Sequence, residues 1–546
     1  MIRTTYILFF LTSLFSINLP AQEKYWFNPM LDVQHYTFAI ELNDSNDEIK
    51  ASADISVQYL QSTSSVQFDL VAKNAGGKGM KVIAVKENET SLLFEQSSTR
   101  LKINLNKPAR AGYTTTFKIN YAGTPADGLV FSKNKFAKRT IFADNWPNRA
   151  RNWLPCVDHV SDKASVDFMV TAPEHYQVIS NGVLVEETSL DAHKKFTHWK
   201  EIVALPTKVM VIGLADFAVN YAGMVDCIPV SSWVFPPDKK NGFYDYEQAL
   251  EILPFFIHKV GPYAYKKLAN VEAITVFGGM ENASAIFYNE QSINGKRTSS
   301  EELIAHEIAH QWFGNAATES DWPHVWLSEG FATYMTHLYL ENKYGTDTLK
   351  ARMKTDRKSV TDFAKHRFTP IVDSSEQENY LALLNRNSYQ KGGWVLHMLR
   401  RKLGDSIFWK GIQTYYATFA GKNAATNDLR KVMEDVSGVD LKDFFQQWLY
   451  TAGHPVLAIN WQYDPQKKML SIQINQQQKQ LFTFSLELAF KNSGAIKITN
   501  QTFLINHKIT KLEIPMATKP TELIEDPEVN LLFETVTNEE KRSAFK

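Results

Sequence analysis

The residues in this chain with the clearest capacity for chemistry lie in S-S-E-E-L-I-A-H-E-I-A-H-Q-W-F-G-N, which starts at Ser299, and in W-L-S-E-G-F-A, which starts at Trp326. His306 and His310 are one helical turn apart, so on a helix both imidazoles leave the same face. Glu329 follows at the start of a second helical pattern that runs to Tyr344-Gly345, and two short antiparallel helices would return its carboxylate to the histidines. Two neutral imidazoles and one carboxylate are the protein ligands of an open catalytic zinc site, whose fourth position is left for water. Zinc lowers the pKa of such a water to about 7, which provides a nucleophile at neutral pH. Glu307, beside His306, is then the expected general base. A surface helix with two histidines by chance is the competing explanation, and a glutamate in the right place on the next helix argues against it.

These side chains need elements to hold them. Ser299 and Glu302 stand at capping-box spacing, Leu303, Ile304, Ile308 and Trp312 form an apolar stripe, and Gly314-Asn315 supplies a stop. Upstream, Val271 to Asn282 reads as a strand entering the glycine turn G-G-M-E-N. Peptide hydrolysis also requires a grip on the substrate and a donor for the developing oxyanion. Glu281, next to two glycines that permit close backbone approach, could pair with a substrate ammonium. On spacing alone it is better read as a solvated turn carboxylate. Tyr389, opening S-Y-Q-K-G-G-W, could present its hydroxyl from a helix start, and on pattern alone it is better read as a core aromatic.

The wider chain is that of a globular protein of several domains. It has 546 residues, 44% hydrophobic and 22% charged, with Lys+Arg and Asp+Glu both at 59. That balance, with no basic run, gives no reason to expect nucleic acid or an anionic membrane as partner. Arg3, the apolar run Tyr6 to Ile17 and Pro20-Ala21 read as a secretory signal peptide over residues 1–21, so a periplasmic or secreted protein is expected. No later stretch is apolar for long enough to suggest a membrane span. The two cysteines, Cys156 and Cys227, are expected to be buried free thiols.

Periodicity divides the remainder. Residues 22–230 alternate in strand fashion (Tyr36, Phe38, Ile40; Ala53, Ile55, Val57; Phe117, Ile119, Tyr121) around an aromatic, turn-rich segment from Asp144 to Asp158. Residues 231–453 turn helical, from Tyr244 to Val260 and again from Tyr389 to Tyr450. Residues 454–546 return to period two, with Leu470, Ile472, Ile474 and then Phe482 to Phe490, and predict a β-sandwich.

The motifs H-E-I-A-H-Q-W-F-G-N, W-L-S-E-G-F-A and G-G-M-E-N, in this order and spacing, resemble the gluzincin aminopeptidases, the family of aminopeptidase N and the leukotriene epoxide hydrolase. L-P-C-V-D upstream and S-Y-Q-K-G-G downstream extend the match from about residue 140 to about residue 455. The resemblance implies a multidomain α+β protein: an N-terminal saddle-like β domain, a thermolysin-like, mostly helical catalytic domain, and a C-terminal β-sandwich without the helical domain that many members add. It implies zinc on His306, His310 and Glu329, with Glu307 as base and later proton shuttle. Glu281 would hold the free amino terminus of a peptide and Tyr389 would donate to the oxyanion. Gly278, Gly279, Met280 and Asn282 would line the peptide as an edge strand, with Phe277 beside the first side chain. The implied activity is zinc-dependent removal of N-terminal residues from peptides. The alternatives are a zinc-containing binding protein without catalysis and an epoxide hydrolase.

Two residues and one missing domain depart from the family pattern, and a third residue separates the chain from the epoxide-opening branch. Ser328 occupies the place of an asparagine before the ligand glutamate, which should alter a hydrogen bond behind the metal. Asp144 aligns with a glutamine that often helps to hold the amino terminus, so a second carboxylate is expected near the ammonium. Leu384 stands where the epoxide-opening branch has a second tyrosine. The missing helical domain implies a more open active site.

Overall fold

The computed structural model describes residues 29–375, 379–492 and 499–536; the signal peptide expected at residues 1–21 lies outside them. The alternating segments near the N-terminus pair as their pattern requires. Leu31–Glu41 lies antiparallel to Ile49–Tyr59, which lies antiparallel to Thr114–Thr124, in an eight-stranded sheet. The register sets Tyr36 against Ile55 and Ile55 against Phe117, so one buried face carries every apolar member of the alternation. On its other side Leu31–Glu41 runs parallel to Lys163–Pro173.

The segment between Asp144 and Asp158 is a folded loop with a short 3₁₀ turn, Ala150–Asn152. Its aromatics are buried, and Asn145 staples it: the side chain accepts from Trp153 Nε1 at 2.9 Å and donates to Met210 O at 2.6 Å. Cys156 is buried here and free; Cys227 is also free, but exposed, because it sits at a hairpin tip with φ of 64°. The expectation of two buried thiols therefore holds for Cys156 alone.

Residue 230, the expected boundary, lies inside a hairpin. The hairpin Ala218–Val225 and Ile228–Val234 pairs with Leu268–Ala273, in parallel, with Val230 opposite Leu268. It belongs to a five-stranded sheet that continues through Ala285–Asn289 and ends on the short edge strand Gly279–Met280. Period two could not assign that hairpin to a sheet, because the choice is made by a partner distant in sequence. The single helix read from Tyr244 to Val260 is two, Lys239–Tyr246 and Ala249–Lys259.

Behind the sheet stand Arg297–His310, Trp326–Tyr344, Thr346–Ala364 and Gly392–Leu403. Gly330 makes one packing contact possible: a Cβ there would lie 2.9 Å from Gly392 Cα and 3.0 Å from Ser388 O. The helix that carries Glu329 thereby touches the segment that carries Tyr389. After Gly453 the described residues form strands, in sheets of four and three, with Leu470, Ile472, Ile474, Leu486 and Leu488 buried. His397 and Arg357 tie this sandwich to the helices, His397 Nε2 to Val529 O at 2.9 Å and Arg357 to Leu531 O at 2.6 Å. Among the described residues no helix is long and apolar enough to cross a membrane.

Candidate active site

The helix Arg297–His310 forms, but not with the expected cap. It starts before Ser299, whose hydroxyl donates to Lys296 O at 2.8 Å, and Glu302 pairs with Arg352 instead of capping. On its inner face His306 Nε2 and His310 Nε2 are 3.1 Å apart, and Glu329 Oε2 lies 3.6 Å from the first and 3.3 Å from the second. Donors bound 2.0–2.2 Å from a tetrahedral zinc stand about 3.3–3.6 Å from one another, so this set fits that ion in both geometry and ligand type. Among the described residues it is the group of His, Cys, Asp and Glu side chains whose donor atoms converge for a metal.

The three side chains are electrostatically coupled. Burial opposes a charge on His310, but Glu329 outweighs it and raises the pKa to about 10. Burial likewise opposes ionisation of Glu329, and His310 and His306 overcome it, holding that carboxyl well below the usual range. His306 is held below its ordinary value, chiefly by burial. Behind His310, Nδ1 is 3.1 Å from Phe313 O and 3.1 Å from Ser328 Oγ. Ser328 therefore forms a hydrogen bond behind His310.

Glu307 is buried on the same helix, and burial raises its pKa to about 8, with Glu281 and Glu329 adding to the effect and His310 opposing it. It leans over the edge strand so closely that a Cβ at Gly279 would sit 2.3 Å from its Oε1. Glu281 closes that strand. Its Oε1 is buried without a hydrogen-bond partner among the described residues, and burial raises its pKa, with His310 and then Lys208 pulling the other way. Tyr389 lies in a π-helical turn, Asn387–Lys391, that leads into Gly392–Leu403, with its ring stacked 6.0 Å from that of His306. Burial first, then the carboxylates of Glu329, Glu281 and Glu307, raise its pKa far above the ordinary value, so the hydroxyl stays a donor.

His306, His310, Glu329, Glu307, Glu281, Tyr389, Phe277, Gly278, Gly279 and Met280 all border one cavity of about 250 Å³. Asn282 is fully buried behind the turn, and among the described residues its side-chain amide has no hydrogen-bond partner. Asp144 does not border the cavity: its carboxylate pairs with Arg149 and lies 3.4 Å from Thr275 Oγ1.

Other residues position the site without having been read from the sequence. Gln311 Nε2 and Asn315 Nδ2 donate to Glu281 O at 2.8 and 2.6 Å, fixing the backbone of the turn. Both lie in the stretch just past the histidines, where their amides were the available signal. Lys208 and Glu319, almost wholly buried and 2.5 Å apart, join the N-terminal domain to the segment between His310 and Glu329.

Comparison with known proteins gives a family and a fold. Residues 244–448 match the model for the peptidase family M1 domain, and residues 32–209 match that for the peptidase M1 N-terminal domain. Probable aminopeptidase 2 of Sulfurisphaera tokodaii is 27% identical over 455 residues, 79% of this chain and 55% of the relative. Leucyl aminopeptidase of Saccharolobus solfataricus is 24% identical, with the same shares of 79% and 55%. The chain thus spans about half the length of these curated relatives. In fold it resembles Legionella pneumophila aminopeptidase A, solved with aspartic acid, at a TM-score of 0.80 and 16% identity over 95% of this chain and 61% of that one. A two-domain M1 zinc metallopeptidase bound to L-tryptophan aligns at a TM-score of 0.67 and 22% identity, covering 78% of this chain and 96% of that one.

Proposed function

Because the chain belongs to the M1 peptidase family, we propose that it is a zinc-dependent aminopeptidase that hydrolyses the first peptide bond of peptides with a free amino terminus. His306, His310 and Glu329 would hold the ion. Zinc so bound supplies Lewis acidity, which acidifies water and polarises a carbonyl oxygen.

The chain's own groups account for the rest. Glu307, ionised, takes the proton of the attacking water, and the same carboxyl then gives it to the departing amine. Its raised affinity for a proton, caused by burial and neighbouring carboxylates, suits both halves of that exchange. The Tyr389 hydroxyl donates to the oxyanion as the carbonyl becomes tetrahedral. Gly278 and Gly279, on the open edge of the five-stranded sheet, offer main-chain hydrogen bonds to an extended peptide. Glu281 accepts from the substrate ammonium, which restricts cleavage to the first bond. Leu384 borders the cavity without a hydroxyl, which disfavours the epoxide-opening alternative. The leader read at residues 1–21 would place the enzyme outside the cytoplasm.

The observation that carries this reading is the buried oxygen of Glu281, unpartnered among the described residues, in the same cavity as His306, His310, Glu329 and Glu307. A buried carboxylate oxygen without a partner is costly unless a ligand satisfies it. The test compares an aminoacyl-arylamide with its N-acetyl form. Acetylation should abolish cleavage, and Glu281→Ala should raise KM and lower kcat together on the free-amine substrate. Normal kinetics in that variant, or cleavage of the acetylated compound, would overturn the assignment.

A further inference from the structure

Glu281 can accept a substrate ammonium only if the turn that carries it holds still, and that turn is poorly made to hold itself. Residues 281–284 link the edge strand Gly279–Met280 to Ala285–Asn289. The turn closes through Ala285 N, which donates to Asn282 O at 3.1 Å. Ser284 stands at its third position with φ of 61°, the left-handed backbone that glycine or asparagine ordinarily supplies there. A serine in that conformation persists only where its surroundings enforce it.

Two sets of hydrogen bonds do so. Gln311 and Asn315, just past the histidines, fix Glu281 O, and Gln311 Oε1 also accepts from Ser284 N at 2.9 Å. The second set centres on Asn181, in the stretch that matches the M1 N-terminal domain. This side chain is buried and its whole amide is engaged. Nδ2 donates to Ala283 O at 2.7 Å and to Val209 O at 2.9 Å, and Oδ1 accepts from Val211 N at 2.7 Å. Val209 O accepts from Ala283 N as well, at 3.3 Å, so Ala283 is gripped through both its N–H and its carbonyl. Beside Asn181, Gly182 N donates to Ser284 Oγ at 2.8 Å. Lys267 completes the set, its Nζ donating to Ser180 O at 2.8 Å and to Ser284 O at 3.1 Å.

We propose that Asn181 is a positioning residue for amine recognition: it lies outside the cavity wall, and its amide holds the Ala283 backbone so that the Glu281 carboxylate meets the ammonium. Removing the amide leaves Ala283 O and Val211 N–H without their partner, so the turn shifts to find others and carries Glu281 with it. His306, His310 and Glu329 lie on other elements and stay where they are. This inference rests on the aminopeptidase reading, and within it on Glu281 as the partner of the amine.

The experiment compares two inhibitors on the zinc-loaded full chain, leucine hydroxamate and its des-amino analogue, 4-methylpentanehydroxamic acid. They share the metal-binding group and the side chain and differ in the amine. The wild type should prefer the amine by about 10–140-fold in Ki, the worth of a hydrogen bond to a charged group. Asn181→Asp keeps the shape of the side chain and the bond from Val211 N but presents an acceptor to Ala283 O; Asn181→Ala removes both ends. In each, the preference should shrink about tenfold, within the hundredfold that a displaced group can cost. The des-amino Ki should stay at its wild-type value, with circular dichroism checking the fold. A second measurement needs no variant. Coupling between sites is reciprocal, so leucine hydroxamate should slow hydrogen exchange at the Gly182 and Val211 amides of the wild type more than its analogue does. An undiminished preference in either folded variant, a parallel loss of both inhibitors, or equal protection by the two would overturn the role of Asn181 and leave that of Glu281 intact. A wild type that binds both hydroxamates equally would sink both.

Discussion

Ser328 offers a quantitative handle on the metal site. Once Nε2 of His310 binds a metal, Nδ1 carries the ring hydrogen, and that hydrogen has two acceptors: Phe313 O and Ser328 Oγ, each at 3.1 Å. Ser328→Ala removes one acceptor and leaves the other. The loss should not exceed one net hydrogen bond, about 0.5–1.5 kcal/mol, which corresponds to a zinc Kd weaker by about 2- to 13-fold. Complete removal of the support behind a ligand typically costs about 10–100-fold, so the retained carbonyl puts this variant at the low end. Gly314→Ala is the harsher companion. Its φ of 110° disfavours a side chain, and the new Cβ would lie 2.2 Å from Ser328 Oγ and 3.3 Å from His310 Nδ1. It should therefore lose more affinity than Ser328→Ala, and the double variant should recover part of the difference because the closest clash is gone. Competition against a chromogenic chelator at fixed pH measures all three. Unchanged affinity in Ser328→Ala would refute the reasoning, as would a loss beyond about a hundredfold, the full range for such partners.

Three further outcomes follow from the packing. Buried His397 accepts from Tyr334 and donates to Val529 O, and burial, with Arg401 adding to it, lowers its pKa to about 3. Between about pH 6.5 and 3 the unfolded chain binds the extra proton, so this site costs stability as pH falls, by up to about 1.4 kcal/mol per pH unit; His397→Gln should flatten the acid limb of Tm against pH, and an identical slope would contradict this. Lys208→Met strands the buried Glu319 carboxylate and should cost about 3–5 kcal/mol, whereas Lys208→Met with Glu319→Leu should regain most of it; a double variant as unstable as the single would count against the pairing. Gly330→Ala forces apart backbones that cannot yield and should lower both Tm, by about 1–3 kcal/mol in stability, and kcat. Gly393→Ala, whose nearest neighbour would be at 3.5 Å, should change little by either measure.

Much of the site was legible because helical and strand periods are local. One helical turn set the histidine pair, and alternation at Tyr36, Phe38 and Phe117 set a buried sheet face. What could not be read depends on contacts far apart in sequence. Gln311 and Asn315 reach back to the carbonyl of Glu281, 30 and 34 residues away, and nothing in local pattern marks that partner. The amine-binding partner expected at Asp144 followed from alignment on L-P-C, but Arg149, only five residues on, engages that carboxylate away from the cavity. The capping box at Ser299 had the right spacing, yet the helix began earlier and Glu302 found Arg352. The hairpin Ala218–Val225 and Ile228–Val234 had the right period, but its sheet partner, Leu268–Ala273, lies far along the chain.

The central claim is that His306, His310 and Glu329 hold one ion on which peptide cleavage depends. Its most direct measurement strips the purified protein with chelator, removes the chelator, and titrates zinc back while following Leu-arylamide hydrolysis. The account predicts no activity at the start and a linear recovery that breaks at one zinc per chain. Full hydrolysis by the stripped protein, or recovery indifferent to Glu329→Ala, would contradict it.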